Sequence, residues 1–311
     1  MISAIVLVLG SACSKSTEGA GSSETTRRPK RLQVVASFMP VYAHAARVAG
    51  DRADVTMLLK ADSGPHDYQL SPGDVKRIAD ADLFLINGAG IEEWLDDLVR
   101  SAGSARLRVV DTGAGVEKSA SPAVVEIAGT GGDDGHGHDH GDGANPHIWL
   151  DPVNAMEQTR AIARAFIEAD PENAEVYQSH ANQYLAELGE LDRDFRAAMA
   201  ALPGKDLITF HDAFPYLAKR YGMNYVGFIE AFPEKDPTPA QLKSLVRAIQ
   251  KHQVKVLFAE VGYSPAILKS LAEQTGAKVV ELDTLEVGEA DPRAYIARMR
   301  NNLRALQNAW Q

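Results

Sequence analysis

Between residues 170 and 202 the residues Tyr177, Ala181, Tyr184, Leu188, Leu191, Phe195, Ala198 and Leu202 recur at alternating steps of four and three. That spacing is one face of a single helix. Asp170 and Pro171 offer an N-cap and a first helical residue, Glu172 stands near the positive end of the dipole, and Pro203-Gly204 stops the pattern. About 30 residues at 1.5 Å each make a rod of roughly 45 Å, longer than one small domain needs. A lone segment of this kind reads as a strut spanning two domains rather than as a coiled coil. A rigid strut limits how far the domains can open.

The flanking sequence supplies those domains. Short aliphatic runs fall at Leu32–Ser37, Val55–Leu59, Leu83–Asn87 and Leu107–Asp111, with helical patterns at Pro40–Val48, Pro72–Ala79 and Ile91–Ser101. After the strut the alternation repeats, with strands at Leu207–Phe210, Tyr225–Ile229, Val256–Glu260 and Lys278–Asp283. Helical stretches follow at Ala213–Tyr221, Pro239–Lys251, Pro265–Thr275 and Pro292–Trp310. Strands alternating with helices build parallel sheets. The expected fold is therefore α/β: two (β/α) domains, each with a four-stranded parallel sheet, joined by a long helix. The boundaries are an N-terminal α/β domain over 32–169, the connecting helix over 170–202 and a C-terminal α/β domain over 203–311. A chain of 311 residues is long enough for both cores.

Ahead of the first domain, "MISAIVLVLGSAC" is a short apolar run ending in small residues and Cys13. It is too short to span a bilayer as a helix. It resembles a bacterial lipoprotein signal over 1–13, cleaved before a cysteine that becomes lipidated. Two features depart from that pattern: no Lys or Arg precedes the run, and Gly10 stands where Leu is usual. Residues 14–31 are rich in Ser, Thr and Gly and form a flexible tether. Anchor and tether together imply work outside the cytoplasmic membrane, close to its surface. A single cysteine excludes an internal disulfide framework and a cysteine-rich zinc site. A net charge of −10 argues against a nucleic-acid partner.

Sites on open parallel sheets form beyond the carboxyl ends of the strands. His66 lies there in "KADSGPHDYQLSP" after the second strand, and His211 in "LITFHDAFPYL" after the fifth. Asp283 ends the eighth strand in "VVELDTLEVG", and His147 in "NPHIWLDP" closes the first half. Each residue alone is a weak signal, but three imidazoles and one carboxylate make a plausible four-ligand zinc site. Pro146 stiffens the approach to His147, Ile148 and Trp149 can pack as a wall, and Asp151-Pro152 can start a helix. Glu260, ending the seventh strand, either orients an imidazole from behind or is a capping or solvated carboxylate. No H-E-x-x-H or G-x-S-x-G motif is present, which disfavours a zinc hydrolase, although Glu260 or Asp212 would be available as a base.

"GPHDYQLSP", "NPHIWLDP", "TFHDAFPYLAKRYG" and "ELDTL", in that order, resemble the zinc-binding subgroup of bacterial metal-specific solute-binding proteins, which deliver metal to ABC importers. The likeness runs from residue 32 onward. It implies two (β/α) domains joined by a long helix, Zn2+ in the cleft as cargo, a membrane permease as partner, a monomer and no enzymatic activity. Carried over position by position, it implies His66, His147, His211 and Asp283 as ligands, with Asp283 the weakest because some relatives use water there. Manganese-type relatives usually have glutamate where this chain has His211; others act as adhesins. The alternating His136, His138 and His140, in a polar loop over 129–143, suit weak auxiliary zinc capture. His44, His180 and His252 fall in helical patterns and read as surface or partly buried residues. Because imidazole must be neutral to coordinate, zinc affinity is expected to fall below about pH 6.5.

Overall fold

The computed structural model describes residue 1 and residues 31–66, 68–119, 144–202, 204–230, 238–261 and 266–311. Cys13, the tether and His136, His138 and His140 lie outside them. Arg31–Gln311 form one compact unit. Its first half runs β1 (Leu32–Ala36), α1 (Met39–Ala49), β2 (Ala53–Met57), α2 (Pro72–Asp80), β3 (Leu83–Ile86), α3 (Leu95–Ala102) and β4 (Arg108–Asp111). Two helices follow, α4 (Pro152–Ala169) and the long α5 (Ala174–Ala201). The second half runs β5 (Asp206–His211), α6 (Pro215–Tyr221), β6 (Asn224–Glu230), α7 (Pro239–Lys251), β7 (Val256–Glu260), α8 (Ala266–Thr275), β8 (Lys278–Leu282) and α9 (Ala294–Trp310).

Both halves are the same parallel sheet. The strand orders are β2-β1-β3-β4 and β6-β5-β7-β8, each built from parallel strand–helix–strand units. In each, the chain reverses its direction of winding between the two central strands, and this opens a crevice at their carboxyl ends. Local sequence fixes the helix starts. Ser71 and Asp74 form a reciprocal capping box ahead of α2, with Pro72 at its first turn. Asp151 accepts from Val153 N to start α4, as "LDP" leads one to expect.

The strut forms as a helix of 28 residues, about 42 Å long. Its buried face is Tyr177, Ala181, Tyr184, Leu188, Leu191, Phe195 and Met199. The expected stripe drifts at its end, where Met199 replaces Ala198 and Leu202, because alternating steps of four and three average about 3.5 residues and fall behind a 3.6-residue period. Asp170 does not cap α5. A short 3-10 turn at Pro171–Asn173 intervenes, and the Asp170 carboxylate accepts from the Tyr177 hydroxyl at 2.7 Å. α5 packs on α1, α4, α6 and α9. One continuous core therefore runs through both halves, with Leu83, Phe84 and Phe258 among its members. Each buried Leu or Phe contributes roughly 1.5–3 kcal/mol. A second core lies between the second sheet and its outer helices, around Ile208, Leu245, Leu257 and Leu271.

His44 corrects the surface reading. It is fully buried in α1, with Nδ1 2.9 Å from the Tyr184 hydroxyl and the Tyr295 ring edge-on at 4.6 Å. The helix that presents it is packed against α4, α5 and α9, and His44 lies on the covered side, away from the partly exposed Tyr42, Ala46 and Arg47. Burial drives its pKa down to about 3, and His44 is neutral. His180 and His252 are part-buried.

Candidate metal centre

His66 hangs in the loop after β2, and its turn is tied down by Trp94, whose Nε1 donates to Pro65 O at 3.2 Å. His147 belongs to a turn that organises itself. Asn145 Oδ1 accepts from the His147 backbone N–H and stands 3.0 Å from its ring Nδ1, so one amide oxygen sets both backbone and imidazole. Behind it Ile148, Trp149 and Leu150 are fully buried as a 3-10 turn, the wall that the sequence suggests. Trp149 ties this wall to the second half: its Nε1 donates to Thr284 O and its carbonyl accepts from the Tyr295 hydroxyl, both at 2.7 Å.

His211 is the last residue of β5, and Glu260 is the last of β7, the adjacent strand across the switch point. The register sets the two side by side. His211 N donates to Glu260 Oε1 at 2.8 Å, and its ring Nδ1 bonds Glu260 Oε2. Glu260 thus stands behind the His211 imidazole, bonded to both the backbone N–H and the ring of that residue. Glu286 comes from the loop after β8.

These parts bring four donor atoms together. One ligand atom from each of His66, His147, His211 and Glu286 lies within 4.8 Å of all the others. The Nε2 atoms of His147 and His211 are 3.0 Å apart. Glu286 Oε1 is 3.1 Å from His147 Nε2, 3.4 Å from His211 Nε2 and 3.6 Å from His66 Nε2. Donors about 2.0–2.1 Å from a tetrahedral zinc are separated by roughly 3.3–3.4 Å, and the observed separations bracket that edge. Both Glu286 oxygens and His66 Nε2 are buried without a hydrogen-bond partner. Buried polar atoms left this way are costly, and a cation placed among them would remove the cost.

The charge balance points the same way. Three neutral imidazoles with Glu260 and Glu286 carry two negative charges, which a divalent cation cancels. Without one, a proton takes part of that role. Burial opposes charge on His211, but facing Glu260 and Glu286 hold its pKa well above the ordinary value. Burial alone would raise Glu286; the His211 charge and the surrounding imidazoles hold it well below the usual carboxylate range. His147 is driven down to about 3, first by burial, and is neutral and ready to coordinate.

Asp283 does not join the cluster. Its carboxylate is engaged by the Nε and Nη2 atoms of Arg298 from α9, and its Oδ1 also accepts from Leu285 N at 2.8 Å. A carboxylate held by a guanidinium fork is already neutralised and turned away from the imidazoles. The carboxylate that does enter is Glu286, three residues on in the same "ELDTLEVG" stretch. The sequence signal for it was the third acid of that stretch; what separates it from Asp283 is a partner on α9. Asn145 was also missed, although an Asn two residues before a ligand-type His is an Asx-turn signal.

Two copies of one parallel-sheet unit on a common helical strut, with buried nitrogen and carboxylate donors converging from both, define a metal-ion solute-binding protein. The family model described as "Zinc-uptake complex component A periplasmic" matches residues 34–309, and the chain belongs to that family. It is 32% identical over 313 residues to the Bacillus subtilis protein named "High-affinity zinc uptake system protein ZnuA", covering 99% of this chain and 96% of the relative. It is 30% identical over 286 residues to the Streptococcus pneumoniae "Zinc-binding lipoprotein AdcA", covering 89% of this chain and 55% of AdcA, so it spans about half of that protein. The solved Zn(II)-bound ZnuA-like domain of Streptococcus pneumoniae AdcA superposes with a TM-score of 0.74 at 28% identity, covering 90% of this chain and 99% of that domain.

Proposed function

We propose that this chain binds one zinc ion between His66, His147, His211 and Glu286, outside the cytoplasmic membrane, and delivers it to the permease of an ABC importer. The observation that carries this is the pair of Nε2 atoms 3.0 Å apart, each on a ring whose Nδ1 already faces an acceptor. A ring that donates from Nδ1 to Asn145 or Glu260 presents a lone pair at Nε2. Across 3.0 Å in a buried site the two Nε2 atoms share a proton when metal-free, and zinc takes the place of that proton. Imidazole-rich donor sets suit zinc better than manganese, which prefers oxygen ligands. Four protein donors form a closed sphere suited to carriage, whereas catalytic zinc keeps a position open for water.

The family supports the rest of the reading. A relative is named a zinc uptake system protein and another a zinc-binding lipoprotein. Among the described residues no helix is long and apolar enough to cross a membrane, and we place the attachment at a lipidated Cys13. The test is zinc and manganese titration of the full chain by chelator competition, beside His211→Ala. The reading expects one tight zinc equivalent, weaker manganese binding and loss of tight binding in the variant. Equal tight binding by both proteins would remove the site from this cluster.

A further inference from the structure

Arg298 bonds no donor atom of the cluster, yet it holds the segment from which Glu286 projects. Its Nε and Nη2 fork onto the Asp283 carboxylate, and its Nη1 donates to Val287 O at 2.6 Å. These contacts flank Glu286 on both sides. Asn302, one turn further along α9, fixes the same place: its Oδ1 accepts from Asp283 N at 2.8 Å, and its Nδ2 donates to Asp283 O at 2.7 Å. Between the anchors Leu285 is fully buried in a left-handed conformation, φ +62°, with its N–H held by Asp283 Oδ1. A non-glycine residue adopts that backbone only where its surroundings dictate it.

Gly288 gives independent support. Its φ is +142°, and a Cβ there would stand 2.4 Å from Arg298 Nη1. The guanidinium therefore reaches Val287 O only because residue 288 has no side chain. Gly288 N also donates to Ala61 O at 2.8 Å, in the loop that carries His66. The segment clamped by α9 is thus continuous with the His66 loop of the other half.

We propose that Arg298 is a positioning residue for metal binding: acting through Asp283 and Val287, it places the Glu286 carboxylate against the three imidazoles. It gives α9 a role in the site and gives Asp283 a function other than ligation. The inference rests on the zinc reading above. A ligand held in advance lowers the ordering cost of binding, and loss of such support typically weakens a metal site 10–100-fold.

The test is a double-mutant cycle on the full chain: wild type, Arg298→Met, Glu286→Gln and the double variant. Zinc affinity is read by chelator competition, and the visible spectrum of bound Co2+ reports the donor set. Arg298→Met is expected to lower zinc affinity about 10–100-fold in the wild-type background and to have less than about a twofold effect once Glu286 is Gln. Its Co2+ spectrum should shift toward that of Glu286→Gln. Unchanged affinity in Arg298→Met while Glu286→Gln weakens binding would overturn the positioning role. So would an equal loss in both backgrounds, which would mean that the arginine acts on the fold. No loss in Glu286→Gln itself would instead strike the zinc reading and take this inference with it. Should Arg298→Met not fold, Arg298→Lys keeps the charge without the fork and is expected to show a smaller loss with the same dependence on Glu286.

Discussion

His147 reaches the cluster from a turn held by its own neighbour, Asn145, and by two flanking prolines. Glu286 reaches it from a loop whose shape is imposed by Arg298 and Asn302 on a helix later in the chain, and which includes a left-handed leucine. The first segment carries within residues 145–147 the bonds that orient its imidazole, with Asn87, Asp212 and Thr284 holding the turn from outside. The second has one local bond, from Leu285 N to Asp283 Oδ1, and its remaining anchors at Asp283 and Val287 come from α9. The contrast teaches that a self-organised turn can announce a ligand in sequence, whereas a loop shaped by tertiary contacts conceals one.

The comparison breaks first if the donors are unequal in the wrong sense. His211→Ala removes a donor that is 1% exposed and leaves Glu260 and Glu286 facing each other, so zinc affinity should fall by more than about 100-fold, beyond the loss typical of an outer partner. Isothermal titration with a competing chelator measures it. Glu260→Gln and Asn145→Ala come next, each expected to cost about 10–100-fold by loosening a ring that keeps its own donor atom. If Asn145→Ala cost nothing, the turn would be rigid without its amide, and the contrast with the Glu286 loop would sharpen. Gly288→Ala should weaken zinc about tenfold by pushing Arg298 from Val287 O, while the equivalent disturbance has no counterpart in the His147 turn.

Protonation separates the histidines further. His211 is charged in the metal-free protein, because its pKa is held well above 6.5, whereas His147 at about 3 is neutral. Zinc must displace the His211 proton, so binding at pH 7 should release about one proton. Apparent affinity should then fall about tenfold per pH unit, starting above pH 6.5 rather than below it. Calorimetry in buffers of different ionisation enthalpy counts the proton; a count of zero would contradict the charged His211. His44 is held neutral instead, and its pH dependence appears through stability alone. Its folded pKa of about 3 lies below its unfolded value, so below pH 6.5 the unfolded chain binds a proton that the folded one does not. Stability is then lost as pH falls, by about 1.4 kcal/mol per unit, until roughly the folded pKa. Urea unfolding of the metal-free protein at pH 7 and 5, beside His44→Gln, should show that slope shrinking in the variant.

Much of the fold was legible because its signals are periodic. The stripe on α5 and the eight short aliphatic runs need only local spacing, and the carboxyl ends of β2 and β5 lead to His66 and His211 by topology. His44 was misread because burial depends on which helices cover α1, and that is set by α5 and α9. Asp283 and Glu286 are distinguished by the same kind of contact. Both are acids beyond one strand, and only Arg298, fifteen residues from Asp283, decides which is consumed in structure and which faces the imidazoles.

The central claim is the identity of the four donors, and zinc X-ray absorption on the loaded protein tests it most directly. The account predicts a four-coordinate shell of three imidazole nitrogens and one carboxylate oxygen, with the oxygen contribution altered in Glu286→Gln and retained in Asp283→Asn. A shell that keeps its carboxylate in Glu286→Gln but loses it in Asp283→Asn would contradict it.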